Sequence, residues 1–152
     1  MKLSAEEEHQ RLEHLTTAKI ARLGVALELA ASSVYSKQFG VKNHELKVLN
    51  VLAGSEPVSL AELSRRAHVD KAWVSRSIAS LVARGLVRKW RKPGDERMSL
   101  IELTVEGIEL VRRITPAMME RQRELLAGLD QEHVNWLLDT LLTRLERMRK
   151  RK

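Results

Sequence analysis

Hydrophobic residues recur at helical spacing over most of the chain. From Ala5 to Phe39 the apolar side chains fall mostly three or four residues apart, which places them on one face of a helix. They are Leu12, Leu15, Leu23, Leu27, Ala30 and Val34. Such a helix would be about 50 Å long. A domain of this size is too narrow to cover all of it, so we expect part of the apolar face to contact a second chain.

Three shorter helices are predicted next. Gly40 ends the first helix, and Asn43 is the expected N-cap of the second. After an interruption at residues 54–57, Ser59-Leu60-Ala61-Glu62 predicts a capping box at the start of a short helix that runs to Ala67. Asp70 is then expected to cap a helix over residues 71–84.

The hydrophobic period changes after Gly85. Leu86 to Trp90 predicts a strand, Arg91 to Glu96 a turn that contains Pro93-Gly94, and Arg97 to Leu103 a second strand. Together they predict a β-hairpin. The chain is therefore expected to be mainly α with one small hairpin.

Two helices are predicted for the remainder. Thr104 caps a helix over residues 105–126, with a bend expected near Pro116. Asp130 caps the last helix, which carries a regular apolar stripe. That stripe consists of Val134, Leu137, Leu138, Leu141, Leu145 and Met148. We expect it to pair with the first helix across a two-fold axis, which would make the protein a homodimer.

Composition narrows the possible functions. The 152 residues contain no cysteine and carry a formal net charge of +7, which excludes a disulfide scaffold and favours an anionic partner. The first ten residues are acidic, and no apolar run has the length of a membrane span. We therefore expect a cytoplasmic protein without a membrane partner.

The positive charge is concentrated on one helix and the hairpin. Residues 70–97 contain eight basic and three acidic side chains. An α-helix fits the major groove of B-DNA, and a neighbouring basic hairpin can reach the minor groove. A solvated basic surface is the alternative. The order of short helix, turn, helix and basic hairpin favours binding of double-stranded DNA.

The faces of the 71–84 helix can be assigned by its periodicity. With Ile78 at the centre of the inner face, Val74, Leu81 and Val82 are expected to pack inward. Small polar residues and cations then point outward or to the flanks. The residues expected to contact DNA, on this helix and the hairpin, are Lys71, Trp73, Ser75, Arg76, Ser77, Ser80, Arg91, Lys92 and Arg97.

These segments resemble the MarR family of winged-helix transcription regulators. Asp95-Glu96-Arg97, followed by Leu103-Thr104 and Gly107, matches the D-x-R…L-T-x-x-G wing signature of that family. Upstream, residues 59–63 and 74–87 resemble its helix–turn–helix. The long first helix and the two C-terminal helices are similar to its dimerisation module, so the resemblance covers nearly the whole chain.

The resemblance implies three parts and a set of partners. Residues 1–40 would form an N-terminal dimerisation helix, residues 41–104 a winged helix–turn–helix lobe, and residues 105–152 C-terminal dimerisation helices. It implies a homodimer on a pseudo-palindromic operator, in most cases a repressor released by a small anionic and often aromatic ligand. A non-specific architectural DNA-binding protein and a helical protein–protein adaptor are the alternative functions.

The resemblance also assigns individual roles. It implies that Ser75 and Arg76 make helix contacts, that Arg97 is the wing arginine, and that Asp95 shapes the wing through a salt bridge. By region it points to Arg22, Tyr35 and His44 for the ligand. Trp73 stands where small or hydroxyl residues are frequent in the family, and two roles remain open for it: contact with a sugar or thymine methyl, or packing over the preceding helix.

No catalytic or metal site is predicted. The five histidines are scattered, and His9 and His14 are off the spacing at which two helical residues share a metal. The chain contains neither a nucleophile elbow nor a glycine-rich phosphate loop. We expect no cofactor, no metal and no enzymatic activity.

Overall fold

The computed structural model describes residues 11–151, except for the side chain of Glu96. Its elements are α1 (Thr16–Phe39), α2 (Asn43–Ala53), β1 (Val58–Ser59), α3 (Leu60–Ala67), α4 (Lys71–Ala83), β2 (Val87–Lys92), β3 (Asp95–Leu103), α5 (Val105–Leu125) and α6 (Gln131–Arg149). The chain is thus mainly α with a small antiparallel sheet, as the sequence predicts.

The first helix is not continuous over its predicted range. The predicted start at Ala5 lies outside the described residues. Within them, residues 11–13 are helical, but Leu15 is extended and α1 begins at Thr16. Two threonines follow the break, and threonine has a low helix propensity. At the other end Gly40 adopts a left-handed conformation with φ 65° and ends the helix, as predicted.

The helix caps follow the sequence closely. Ser59 accepts a hydrogen bond from the Glu62 N–H at 3.2 Å, and Asp130 accepts one from the His133 N–H at 3.1 Å. The N-cap of α2 is Lys42 rather than the predicted Asn43, because the Glu45 carboxylate accepts from the Lys42 N–H at 2.9 Å. Helix α2 therefore includes Asn43 as its first residue.

The sheet has three strands in the order β1-β3-β2, all antiparallel. Lys92 pairs with Asp95, so only Pro93 and Gly94 form the hairpin turn, which is shorter than the predicted turn. Gly94 has φ 82°, a value that glycine adopts without steric cost after a proline. Strand β1, which pairs Val58 with Ile101, was not predicted because two residues are too few to show a period.

The described chain divides into two compact units between Ile114 and Thr115. The division falls within α5, ten residues after the boundary expected at residue 104. Helix α1 groups with the first unit. The first unit contains a core of buried apolar side chains. They are Tyr35, Val41, Leu46, Val48, Leu49, Leu52, Val58, Leu63, Ala67, Val69, Val74, Ile78, Leu81, Val87, Ile101, Leu110 and Ile114.

Candidate nucleic-acid interface

Helix α4 is held in the first unit by one apolar face. Asp70 accepts a hydrogen bond from the Ala72 N–H at 2.8 Å and so fixes the start of the helix. Val74, Ile78 and Leu81 are buried beneath it. The residues on the opposite face of α4 are consequently directed toward solvent.

The buried face is rotated relative to the predicted one. Val82 is 41% exposed, although the periodicity placed it inward. Ser77 is only 6% exposed, and Ser80 is half-buried. The reason is that α2 packs against the serine side of α4, where Ser80 donates to Glu45 at 2.7 Å. These two serines therefore face the protein rather than the open surface.

Glu45 is the polar centre of the contact between α2 and α4. Its side chain is 4% exposed and accepts from Ser80, from the Lys42 N–H and from Arg84, the last at 3.3 Å. A buried carboxylate is costly unless such partners satisfy it. Glu45 is not among the residues predicted to be functional; its position among the apolar residues of α2 was the available signal.

The indole ring of Trp73 packs against α2. Its ring lies 4.6 Å from the His44 ring, centroid to centroid, and the Arg76 guanidinium carbon lies 4.3 Å from the Trp73 ring. Trp73 remains 49% exposed. The ring therefore packs in part against His44 of α2, and half of it stays accessible. Its predicted packing over the preceding helix stays a prediction.

The exposed face of α4 continues onto the hairpin β2–β3, which we call the wing. Side chains alternate between the two faces of a strand, so Lys89 and Arg91 of β2 share a face with the buried Val87. Across the ladder, Lys89 pairs with Ile101 and Arg91 with Ser99. On this face of β2, the buried Val87 is therefore followed, toward the hairpin turn, by the cations Lys89 and Arg91.

A groove of about 390 Å³ joins the wing to the helix–turn–helix. Lys71 of α4 borders it together with Lys89 and Arg97 of the wing, and the start of α3 borders its other side. Three cations from separate segments thus line the same groove as one carboxylate, that of Asp95. Lys89 was missing from the predicted contact residues, although its alternation with Arg91 on β2 could have indicated it.

Asp95 shapes the wing through the backbone. Its carboxylate accepts a hydrogen bond from the Arg97 N–H at 3.1 Å. The salt bridge that the resemblance implied for Asp95 stays a prediction. An aspartate that bonds a backbone N–H two residues later forms a compact local turn. The Arg97 side chain is exposed and borders the groove.

The junction of wing and α5 depends on a close approach of two backbones. Thr104 accepts from the Gly107 N–H at 3.1 Å and donates to the Gly85 carbonyl at 2.6 Å. A Cβ atom on Gly107 would lie 2.0 Å from the Leu86 carbonyl oxygen. Only glycine fits there, which gives the Leu-Thr-x-x-Gly segment a steric explanation.

Comparison with known proteins points to the MarR family. A model of the MarR family matches residues 39–98, from the end of α1 through most of the wing. The HTH-type transcriptional regulator YdgJ of Bacillus subtilis (strain 168) is 32% identical over 105 residues. These matches support a MarR-family winged helix–turn–helix regulator. The matched segment is 67% of this chain and spans 62% of the length of YdgJ.

Solved structures of MarR regulators have the same fold. A MarR/EmrR family regulator from Acinetobacter sp. ADP1 superposes with a TM-score of 0.79 at 28% identity, over 90% of this chain and 95% of that one. Sco3205 of Streptomyces coelicolor, a MarR family regulator solved in complex with DNA, gives a TM-score of 0.77 at 24% identity. That match covers 96% of this chain and 89% of Sco3205. These matches are to regulators, not to enzymes.

The three residues predicted for a MarR-type ligand do not gather at one place. Arg22 is exposed and Tyr35 is buried beside Phe39, their ring centroids 6.4 Å apart. Arg22 and Tyr35 are thirteen positions apart on α1, which corresponds to about 20 Å along the helix. His44 instead borders a cavity of about 150 Å³ between α2 and α4, together with Lys42, Trp73 and Arg76.

Residues 11–151 contain neither grouped metal ligands nor a helix suited to crossing a membrane. Within this range, no three histidine, cysteine, aspartate or glutamate side chains are grouped as metal ligands would be. In the same range no helix combines the length and apolar character needed to cross a bilayer.

Proposed function

We propose that this chain regulates transcription by binding a specific DNA duplex as a homodimer, most simply as a repressor. The observation that carries the proposal is the groove where Lys71, Lys89 and Arg97 meet, next to the exposed face of α4. Cations brought together from three segments of the chain suit the closely spaced phosphates of DNA.

In this proposal α4 enters the major groove and the wing follows the adjacent minor groove. Arg76, with Ser75 beside it, would reach base edges, where an arginine can pair with O6 and N7 of guanine. Lys71 and the wing cations Lys89, Arg91, Lys92 and Arg97 would contact phosphates or the narrow minor groove. The DNA complex of Sco3205, which shares the fold, supports this arrangement.

The homodimer part of the proposal rests on apolar surface left on the helices. On α6, Leu137, Leu138, Leu142 and Leu145 are each more than 40% exposed. Isolated exposed leucines are ordinary, but a row of them along one helix marks an interaction surface. A second copy of the same chain would cover it and would place two α4 helices on one duplex.

Release by a small anionic ligand completes the proposal. Of the three residues predicted for the ligand, His44 borders a cavity that also offers an aromatic ring and the cations Lys42 and Arg76. These are the groups that an aromatic carboxylate requires. The proposal places the regulator in the cytoplasm, together with the DNA that it binds.

The test is a footprint on the DNA upstream of the chain's own gene, with affinity measured over a range of salt concentrations. We expect protection of an inverted repeat and a steep fall in affinity as salt rises. Arg97→Ala should weaken binding and lower the salt slope by about one, while the dimer persists. Arg112→Ala removes the same charge from α5 and is the matched control.

Two outcomes would contradict the proposal. Equal affinity for all sequences would favour a non-specific architectural protein. Absence of binding even at low salt would favour a helical protein–protein adaptor.

A further inference from the structure

We propose that His44 is a positioning residue for Arg76 and acts through the face of its ring. It sets the position of Trp73, and Trp73 in turn holds the guanidinium that reads a base. The inference rests on the proposed DNA-binding function. It adds a specificity-determining residue that lies on α2, outside the helix that enters the groove.

Trp73 and Arg76 are neighbours on the surface of α4. Residues three apart lie on the same side of a helix, and here the guanidinium carbon lies 4.3 Å from the indole ring. A cation at this distance from an indole face is attracted by the ring's quadrupole. The ring therefore restricts a long side chain that would otherwise sample many rotamers, and its position fixes where Arg76 points.

The position of Trp73 itself depends on α2. Its ring is 49% exposed, so the core covers only part of it. The His44 ring contacts it with centroids 4.6 Å apart and planes tilted by 31°. Without the imidazole, that part of the indole would border an enlarged cavity, and other rotamers of Trp73 would become accessible.

His44 is in turn anchored by its neighbour in the chain. Glu45 ties the first turn of α2 to α4 through Ser80 and Arg84, at 2.7 and 3.3 Å. The backbone of His44 is thus fixed relative to the helix that carries Trp73. Two successive residues of α2 contact α4 at different points along its length, His44 near its start and Glu45 near its end.

The ring face of His44, rather than a hydrogen bond, makes the contact with Trp73. Its Nδ1 atom is buried and has no hydrogen-bond partner within residues 11–151. A buried polar atom without a partner costs free energy, so a ring of similar shape without that atom should serve at least as well. Phenylalanine is such a ring.

The experiment compares base discrimination among variants. Duplexes are selected from a random pool by the native dimer, and the position at which Arg76→Ala relaxes the preference identifies the base that Arg76 reads. His44→Ala should lower discrimination at that position by on the order of tenfold, and leave the other positions unchanged. His44→Phe should restore it. The double variant His44→Ala with Arg76→Ala should lose no more base discrimination than Arg76→Ala alone.

His133→Ala is the matched control, because His133 also contacts a tryptophan, Trp136, with ring centroids 5.6 Å apart on α6. It should leave discrimination unchanged. If His44→Ala does not fold, Trp73→Leu provides the same test with Arg76 in place. Unchanged discrimination in His44→Ala, or a loss in His44→Phe equal to that in His44→Ala, would overturn the inference. Failure of the native dimer to select any sequence would instead overturn the proposed function.

Discussion

Two regions of this chain differ in how far their own residues bury their apolar side chains. Within residues 11–151, the buried apolar residues lie between Tyr35 and Ile114. Helix α6 contains no buried residue, and Leu142 and Leu145 are 58% and 55% exposed. The winged-helix lobe therefore has a core built by its own sequence. Helix α6 has an apolar face that is exposed in the described part of the chain. In our proposed dimer, a second copy of the chain covers this face.

Helix α1 resembles α6 in this respect, although it groups with the lobe. Only Tyr35, near its end, is buried. Leu23, Val25 and Leu29 are each more than half exposed. Stability of the lobe should therefore be independent of protein concentration, whereas order in the exposed helices should depend on it, as it does in any element that folds with a partner.

The strongest way to separate the two regions is to place charges on α6. Leu138→Asp combined with Leu145→Asp should abolish the dimer, because two carboxylates cannot be buried against an apolar partner. Affinity for an inverted repeat should then fall by about a hundredfold or more, since the second half-site no longer contributes. Sedimentation and DNA titration measure the two effects.

Thr143→Asp is the matched control, since Thr143 lies on a different side of α6. It should leave the dimer and the affinity unchanged. A double leucine variant that still sediments as a dimer would show that α6 is not the interface.

A substitution within the winged-helix lobe tests the other of the two regions. Gly107→Ala brings a Cβ atom against the Leu86 carbonyl oxygen, and we expect it to lower the free energy of unfolding by about 1–3 kcal/mol. Urea unfolding at several protein concentrations should show the same loss at each. Gly54→Ala, at a glycine with free space around it, should have little effect. A loss at Gly107 that disappeared at high concentration would contradict the contrast between the regions.

The smallest effect concerns acid stability of the lobe. Hydrogen bonds from Arg65 and then Arg66 lower the pKa of Glu62 from 4.5 to about 2. A carboxyl group whose pKa is lower in the folded than in the unfolded state stabilises the fold at pH values above the unfolded-state pKa. This stabilisation is lost as pH falls from about 4.5 to 2. In urea unfolding over that window, the native protein should lose slightly more stability than Glu62→Gln. Glu109→Gln is the control, and identical curves for native protein and Glu62→Gln would contradict the assignment.

Local signals in the sequence predicted most of the fold. Asp70, Asp130 and Thr104 cap the helices they were expected to cap, because a cap depends on residues within one helical turn. The Pro93-Gly94 turn likewise depends on two adjacent residues. The MarR resemblance rested on such local segments, and the family match over residues 39–98 covers those of the helix–turn–helix and most of the wing.

Contacts between distant segments were harder to predict. Periodicity alone could not show that Glu45, 35 residues before Ser80, would bond it and so rotate the buried face of α4. The same contact removes Ser77 from the open surface. Likewise, Lys89 joins the groove with Lys71 only because the wing folds back beside α3. Such placements follow from tertiary packing, which a single sequence does not encode as a local pattern.

The central claim is that two copies of the chain present paired basic surfaces to one duplex. The most direct measurement combines the stoichiometry of the complex with a footprint, on a duplex that the native protein selects from a random pool. We predict two chains per duplex and two protected half-sites centred about one helical turn, roughly 34 Å, apart. One chain on a single half-site, or uniform protection of any sequence, would contradict it.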